Sequence, residues 1–249
     1  MTGIKKSRRK TGAKVWFVGA GPGDPGLITV KGQDLVNTAD VLIYAGSLVN
    51  PVLVDASKAT VKQDSWGMHL DEMVDALEKH AKAGKKVVRL HSGDPALYGA
   101  IVEQMERLED RGIETEVVPG VSSLFAAAAA LRTQLTLRGV SESVIVTRPA
   151  GKTLAKDQIA EFSRLDSTLV IFLGTEKLEE ITARLECDNK TPAAVVYHAS
   201  WPDQKVVRGT VADIAAKARA AGIEHTALLL IGGVVGTEKE GHVTSYLYS

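Results

Sequence analysis

Cysteine, aromatic residues and long apolar runs are scarce in this chain of 249 residues. Cys187 is its single cysteine, which excludes a disulfide framework and a cysteine-rich zinc or iron–sulfur site. The charges balance, with 30 Lys and Arg against 30 Asp and Glu, and this argues against nucleic acid as the main partner. Apolar runs such as 125–131 fall far below the roughly 20 residues that span a bilayer, so no membrane partner is expected.

The first 13 residues are polar and basic, with five cations between Lys5 and Lys10. No apolar segment follows them, so they do not resemble a secretory signal. We predict that residues 1–13 are a disordered basic tail. The absence of a signal and the single thiol are typical of a cytoplasmic protein.

The remaining chain has ordinary globular composition, with 45% hydrophobic residues, and is long enough for two α/β domains. In the first half, short apolar runs alternate with helical periodicity, which predicts a mainly parallel sheet covered by helices. Its predicted strands are Val15–Gly19, Val41–Tyr44, Lys86–Leu90 and Thr115–Val118, and its predicted helices begin near Leu70, Ile101 and Ser122.

The second half predicts a further set of strands and helices after a segment without a clear element. The predicted strands are Val144–Thr147, Thr168–Phe172, Ala193–Tyr197, Lys205–Arg208, Ala227–Ile231 and a final edge strand Val243–Tyr248. We predict that Ala193–Tyr197 and Lys205–Arg208 pair as a hairpin. We therefore predict an N-terminal α/β domain over 14–132, a linker over 133–142 and a C-terminal α/β domain over 143–249.

The first predicted strand runs into a glycine-rich loop in which Gly21, Gly23 and Gly26 match the dinucleotide pattern G-x-G-x-x-G. Pro22 and Pro25 remove amide donors that a pyrophosphate needs, however. The second predicted strand also lacks the carboxylate that holds a ribose. A Rossmann-type NAD-dependent oxidoreductase is thus a weak alternative.

Two more loops of this kind follow predicted strands. The loop 91–99 contains Gly93 and Asp94, and Asp94 can accept hydrogen bonds from a ligand or cap the element that follows it. The loop 119–123 ends in Ser122 and Ser123, whose hydroxyls and amides lie where ligands bind at the carboxyl ends of parallel strands. Three such loops in succession indicate a binding site more strongly than any one of them.

Together the segments GAGPGDPGLIT, HSGDPALYG and PGVSS resemble the tetrapyrrole (corrin/porphyrin) methylase family in order and spacing. The second half agrees, since FLGT at 172–175 and the segment 192–204 also resemble that family. The resemblance covers roughly residues 14–247. It implies two α/β domains with the active site in the cleft between them, a homodimer, and S-adenosyl-L-methionine (SAM) as methyl donor, with S-adenosyl-L-homocysteine (SAH) as product.

The resemblance also implies a set of cofactor contacts. These are Pro22, Ser92, Gly93, Asp94, Leu97, Ser122, Ser123, Leu173, Ala199, Thr226 and Ala227. Most of them are small or apolar, which suits recognition through backbone groups and apolar walls. The family often has Met at position 173 and Pro at 226, and neither departure should prevent binding.

Two shorter segments, Leu42–Asn50 and Ala199–Gln204, resemble the branch of the family that methylates precorrin-4 at carbon C11 to give precorrin-5 in cobalamin synthesis. The cobalt form of this substrate stays open as an alternative. Tyr44 is not followed by the Asp of the uroporphyrinogen branch. A tetrapyrrole carrier without chemistry is a competing class, but it would not need the three loops.

Methyl transfer to an electron-rich ring carbon depends mainly on alignment, and a general base can assist it. Asp24, Tyr98 and His91 are the candidate catalytic residues by location. The other histidines have no ligand-like spacing, so no metal site is predicted. The substrate's carboxylates suit arginine, and the candidates near strand or loop ends are Arg89, Arg132, Arg138 and Arg148.

Overall fold

The computed structural model describes residues 12–236 and 241–245. The chain divides into two compact units between Ser122 and Ser123. Each unit is built around its own five-stranded sheet.

Within its described residues, the first unit has five strands and four α-helices. The strands are β1 (Lys14–Gly19), β2 (Val41–Tyr44), β3 (Val61–Asp64), β4 (Val87–His91) and β5 (Glu114–Val118), and the helices are α1 (Val30–Thr38), α2 (Pro51–Ala56), α3 (Leu70–Lys82) and α4 (Val102–Asp110). The strand order is β3-β2-β4-β1-β5 and every pairing in this sheet is parallel. The predicted parallel sheet is therefore confirmed for this half.

Alternation along β1 and β4 sends side chains to two apolar layers. Phe17 and Val87 pack with α3 and α4 on one face, whereas Val18 and Leu90 pack with α1 and α2 on the other. Helix α3 begins with a capping box, in which the backbone N–H of His69 donates to the Glu72 carboxylate over 2.8 Å. Because both faces are covered, β4 is buried along its whole length.

The second unit begins with α5 (Ser123–Ala130) and contains a mixed sheet. Its other elements are β6 (Val144–Thr147), α6 (Ile159–Ser163), β7 (Thr168–Ile171), α7 (Leu178–Arg184), β8 (Pro192–Tyr197), β9 (Lys205–Thr210), α8 (Ile214–Ala220) and β10 (Ala227–Ile231). The strand order is β6-β7-β10-β8-β9, with β6 and β7 parallel and the other pairs antiparallel. The predicted hairpin between β8 and the strand from Lys205 is confirmed.

Three of the described elements of the first unit were not predicted from the sequence. Strand β3 alternates between exposed and half-buried residues and carries Lys62, Gln63 and Asp64, so it lacks an apolar run. Helices α1 and α2 are short, with 9 and 6 residues, and start at the side-chain caps Thr29 and Asn50. Their caps are visible in the sequence, but their apolar stripes are too short to stand out.

The boundary between the units differs from the predicted linker over 133–142. Leu124 and Ala127 of α5 pack into the same apolar cluster as Leu230 of β10, so α5 belongs to the second unit. Leu135 and Leu137 are buried in that cluster, and the hydroxyl of Thr168 donates to the Leu135 carbonyl over 2.7 Å. The predicted linker is thus part of the second unit's core because its leucines alternate inward.

The predicted tail over 1–13 lies outside the described residues except for its last two. Ala13 is buried in the first core, and its carbonyl accepts the N–H of Glu114 over 2.9 Å. The folded part therefore begins earlier than the predicted residue 14. At the other end, Val243 to Ser245 form no strand, and the rest of the predicted strand Val243–Tyr248 lies outside the described residues.

Candidate active site

The glycine-rich loops after β1, β4 and β5 meet backbone to backbone at one edge of the first sheet. These strands are neighbours in the order β4-β1-β5 and run parallel, so their carboxyl ends lie together. A Cβ atom added to Gly19 would lie 2.6 Å from Cα of Gly120 and 2.7 Å from the carbonyl oxygen of Gly93. Only glycine at these positions permits such close approach.

Hydrogen bonds fasten the loops at this edge. Gly21 and Gly93 form an isolated β-bridge, with N···O distances of 3.2 and 2.8 Å. Asp94 adds two bonds, since its Oδ1 accepts the N–H of Ala96 over 2.7 Å and its Oδ2 accepts the N–H of Gly120 over 2.9 Å. The Asp94 carboxylate therefore caps a turn and also ties the β4 loop to the β5 loop. The turn over 95–98 is not continued as a helix, because α4 begins only at Val102.

The structure brings the first-unit members of the predicted cofactor set to this same edge. Pro22 and Ser122 are buried, while Ser92, Gly93 and Leu97 are half-buried. The edge thus presents mainly small side chains and main-chain groups.

Strained backbone marks one edge of the second sheet. Leu173, His198 and Thr226 have φ values of 55°, 44° and 55°, in the left-handed region that favours glycine. They stand at the end of β7, the end of β8 and the start of β10, which are adjacent strands. Such conformations cost on the order of 1–3 kcal/mol each and concentrate at functional sites.

The second-unit members of the predicted cofactor set surround this strained edge. The Thr175 hydroxyl accepts the N–H of Ala227 over 3.1 Å and donates to its carbonyl over 3.0 Å, which holds the start of β10. Ala199 is buried, Thr226 is half-buried, and Leu173 stays 67% exposed despite being apolar. Ser123 stands apart from them in the chain, as the first residue of α5.

Three candidate catalytic residues have different surroundings. Asp24 is exposed, and its Oδ1 accepts the N–H of Gly26 over 2.8 Å at the start of a short 3-10 helix. Tyr98 is 43% exposed with φ 56°, in the turn after Asp94. His91 is only 5% exposed and stacks on Phe17, with ring centroids 5.9 Å apart.

Burial also determines the charge of His91. Desolvation, assisted by the nearby Arg89, lowers its pKa to about 3, so the imidazole is neutral near pH 7. Its Nε2 has no hydrogen-bond partner among the described residues. These surroundings argue against His91 as the general base.

Arg89 is buried too, which does not suit the predicted contact with a substrate carboxylate. Among the residues that the structure describes, its side chain makes only long hydrogen bonds to backbone carbonyls, and desolvation lowers its pKa to about 10. Arg138 donates to the Thr244 carbonyl over 2.8 Å, and Arg148 donates to Thr153 over 2.6 Å. Arg132 is exposed with φ 53°. Of the four, Arg132 is thus the most open to solvent.

Sequence reasoning missed a histidine–aspartate pair in the loop after β8. Nδ1 of His198 lies 3.0 Å from both carboxylate oxygens of Asp203. The hydrogen bond from His198 lowers the pKa of Asp203 below its usual value. The only sequence signal for this pair is that His198 and Asp203 are five residues apart within the segment 192–204. That spacing matches neither the helix period nor the strand period, so it does not stand out.

Within the described residues, no group of three or more His, Cys, Asp or Glu side chains is placed to hold a metal ion. Among these same residues, no helix has both the length and the apolar character needed to cross a membrane.

Several proteins of known name are similar to this chain over most of its length. The chain is 50% identical over 228 residues to the cobalt-precorrin-4 C(11)-methyltransferase of Methanocaldococcus jannaschii, which covers 89% of this chain and 88% of that protein. It is 43% identical over 238 residues to the precorrin-4 C(11)-methyltransferase of Pseudomonas aeruginosa, covering 94% of each.

Solved structures and a family model also match this chain over most of its length. A cobalt precorrin-4 methyltransferase superposes with a TM-score of 0.87 and 41% identity, covering 93% of this chain and 99% of that one. A uroporphyrin-III C-methyltransferase from Thermus thermophilus in complex with S-adenosylhomocysteine gives 0.75 and 31%, covering 92% and 97%. The model of the tetrapyrrole (corrin/porphyrin) methylases matches residues 14–215, and the chain belongs to that family.

Proposed function

We propose that this protein is a C-methyltransferase that moves a methyl group from SAM to carbon C11 of precorrin-4, giving precorrin-5. The observation that carries this proposal is the identity of 42–50% to several proteins named for C11 methylation, over about nine-tenths of the chain. The uroporphyrin-III methyltransferase of known structure is less similar, at 31%.

The metal content of the substrate divides these relatives into two groups. The cobalt-precorrin-4 enzymes are 50% and 44% identical to this chain, whereas the precorrin-4 enzyme of Pseudomonas aeruginosa is 43% identical. The 50% relative favours a cobalt-containing substrate, so the experiment below includes both forms.

The residues at the two sheet edges suit SAM. Leu173 offers an exposed apolar side chain on a strained backbone, and Ala199 and Ala227 are small residues beside it in the predicted contact set. When bound, SAM supplies a methyl group activated by its sulfonium. The predicted contacts in both units, from Pro22 to Ala227, remain part of this proposal.

The chain's own contribution is alignment. Asp94 fixes the loop after β4 against the loop after β5, and Thr175 fixes the start of β10. These bonds order the edges before any ligand arrives, so less entropy is lost on binding. We further propose, from the family resemblance, that the protein acts as a homodimer in the cytoplasm.

Transfer of a labelled methyl group tests the proposal. The full-length protein is incubated with SAM carrying ¹³C in its methyl group and with precorrin-4, cobalt-precorrin-4 or uroporphyrinogen III. We expect a single new methyl signal at C11 with one of the two precorrin-4 forms and none with uroporphyrinogen III. Label at C1, C2 or C17, or no transfer to either form of precorrin-4, contradicts the proposal.

A further inference from the structure

The loop that follows β8 holds an imidazole in one orientation. His198 Nδ1 faces both oxygens of the Asp203 carboxylate at 3.0 Å. An ionised carboxylate can only accept, so this pairing places the proton of the neutral imidazole on Nδ1. Nε2 then carries a lone pair, which the Asp203 carboxylate does not engage.

Aromatic contacts fix the plane of this imidazole. Its ring stacks on Tyr197 with centroids 3.9 Å apart and planes 15° from parallel, and the Trp201 ring lies 5.5 Å away. The imidazole side chain is 21% exposed, so it is mostly sheltered while remaining accessible. Packing thus restricts the ring without sealing it from a ligand.

The backbone of the loop is constrained as well. His198 and Ser200 have φ values of 44° and 73°. The Trp201 N–H donates to the His198 carbonyl over 2.9 Å, and the Ser200 N–H donates to Gln204 over 2.8 Å. A strained segment held by several bonds presents its side chains in a defined direction, as a reaction site requires.

The position of the pair connects it with the proposed cofactor site. The His198 N–H donates to the carbonyl of Thr226 over 3.2 Å, and Ala199 is the next residue in the chain. Both of those residues belong to the predicted SAM contacts. The imidazole therefore stands at the strained edge formed by the ends of β7 and β8 and the start of β10.

Other charged and titratable groups lie near the ring. Lys205, at the start of β9, places its ammonium 5.8 Å from the Tyr197 ring. His225, just before β10, meets that ring edge-on at 6.5 Å. Of these neighbours, Asp203 alone bonds to the imidazole.

Building on the proposed methyl transfer, we propose that His198 is the general base that takes up the proton released by the macrocycle, and that Asp203 is its positioning residue. A ring carbon forms a bond to the methyl group while the methyl–sulfur bond breaks and leaves its electron pair on sulfur. The ring system then carries one positive charge. Loss of one N–H proton to Nε2 of His198 restores the neutral conjugated system.

The first test is the tautomer of His198, which does not depend on activity. Protein labelled with ¹⁵N in its histidine rings is recorded at pH 8 with and without SAH, and His198→Asn identifies the His198 signals. We expect Nδ1 to be protonated, Nε2 to be unprotonated, and the Nε2 signal to shift when SAH is added. If Nε2 carries the proton, or if the ¹⁵N signals of His198 do not change when SAH is added, the proposal is overturned.

The second test separates a base from a structural residue. Asn at position 198 keeps an N–H donor for Asp203 but has no proton acceptor at the place of Nε2. We expect methyl transfer to fall roughly 100-fold or more, with SAH affinity by calorimetry within about threefold of the parent. His80→Asn on α3 serves as the matched control, and it should keep the transfer rate and the SAH affinity of the parent.

The outcomes distinguish this proposal from the proposed function. Parent-like transfer by His198→Asn, or equal losses of transfer and SAH affinity, overturns the role of His198 as a base. Failure of the parent protein to methylate either form of precorrin-4 rejects the C11 assignment instead. The tautomer measurement then still decides whether Nε2 is an acceptor beside bound SAH.

Discussion

His91 is a histidine whose charge is set by its place in the fold. It ends β4 beneath the glycine loops, stacked on Phe17, and its pKa is lowered to about 3 chiefly by burial. In the unfolded chain an imidazole titrates near pH 6.5. Between those two values the unfolded state binds more protons than the folded state, so stability falls as the pH decreases.

This difference predicts a pH-dependent loss of stability that depends on His91. Between pH 8 and pH 5, we expect His91 to account for about 2 kcal/mol of the fall in the free energy of unfolding. The variant His91→Gln should lose that part of the pH dependence, as measured by urea unfolding at several pH values. An unchanged slope in the variant would mean that His91 titrates normally when folded.

Asp94 illustrates what the sequence can and cannot reveal about a single residue. Its place after Gly93 predicted either a ligand contact or a cap, and both remained open. In the structure its oxygens are occupied by the N–H groups of Ala96 and Gly120. The cap was visible as a local Asp-Pro pattern, but the bond to Gly120 joins residues 26 apart and depends on β4 and β5 flanking β1.

At the scale of elements, the loops at the carboxyl ends of β1, β4 and β5 contact one another through their main chains rather than through side chains. Gly19 ends β1, and Gly93 and Gly120 lie in the loops after β4 and β5. Their main chains approach so closely that neither Gly19 nor Gly120 has room for a Cβ atom. A methyl group at this point would separate the loops that Asp94 joins.

A substitution at Gly120 should therefore damage the site and the fold together. A Cβ at this position would lie 2.8 Å from Cα of Gly19 and closer still to the Gly93 carbonyl, where backbone cannot move aside cheaply. We expect Gly120→Ala to cost about 1–3 kcal/mol of stability, typical of overpacking, and to weaken SAH binding. Denaturant unfolding and calorimetry measure the two effects.

The matched control is Gly151→Ala, because a Cβ on Gly151 meets nothing within 4 Å. This variant should unfold and bind SAH like the parent. Equal behaviour of the two variants would refute the close contact at Gly120.

The elements that could be predicted are those with strong local patterns. Val41–Tyr44, Val144–Thr147 and Ala227–Ile231 were predicted with the bounds that the structure has, because each is a continuous buried or half-buried apolar run. Strand β3 could not be recognised, since Lys62 and Gln63 interrupt its apolar character and it pairs only with β2 at the sheet edge. Its identity comes from pairing, which is a long-range property.

At the scale of the whole molecule, the first unit contains a parallel sheet and the second a mixed sheet. The sequence predicted this difference only in part. The alternating order of the first half predicted its parallel strands. In the second half the hairpin of β8 and β9 was predicted, but the antiparallel placement of β10 between β7 and β8 was not. That arrangement pairs strands that are distant in the chain, so no local sequence pattern reveals it.

Binding of SAH should stabilise the molecule as a whole. A ligand present at 100 times its Kd adds about 2.7 kcal/mol to folding stability. For a chain of this size that corresponds to a rise in Tm of about 5–10 °C. Thermal unfolding with SAH, and with NADH as the control, measures it. A rise with NADH but none with SAH would favour the oxidoreductase alternative.

The position of β1 in its sheet has a consequence for synthesis of the protein. It is made before the other strands of its sheet, yet its partners β4 and β5 lie about 70 and 100 residues further along the chain. At translation rates of about 5–20 residues per second, β1 waits roughly 5–20 s for its second partner. During that time its two backbone edges and the apolar side chains of Val15, Phe17 and Val18 have no place in the native sheet. The parallel sheet of the first unit can therefore be completed only after Val118 has left the ribosome.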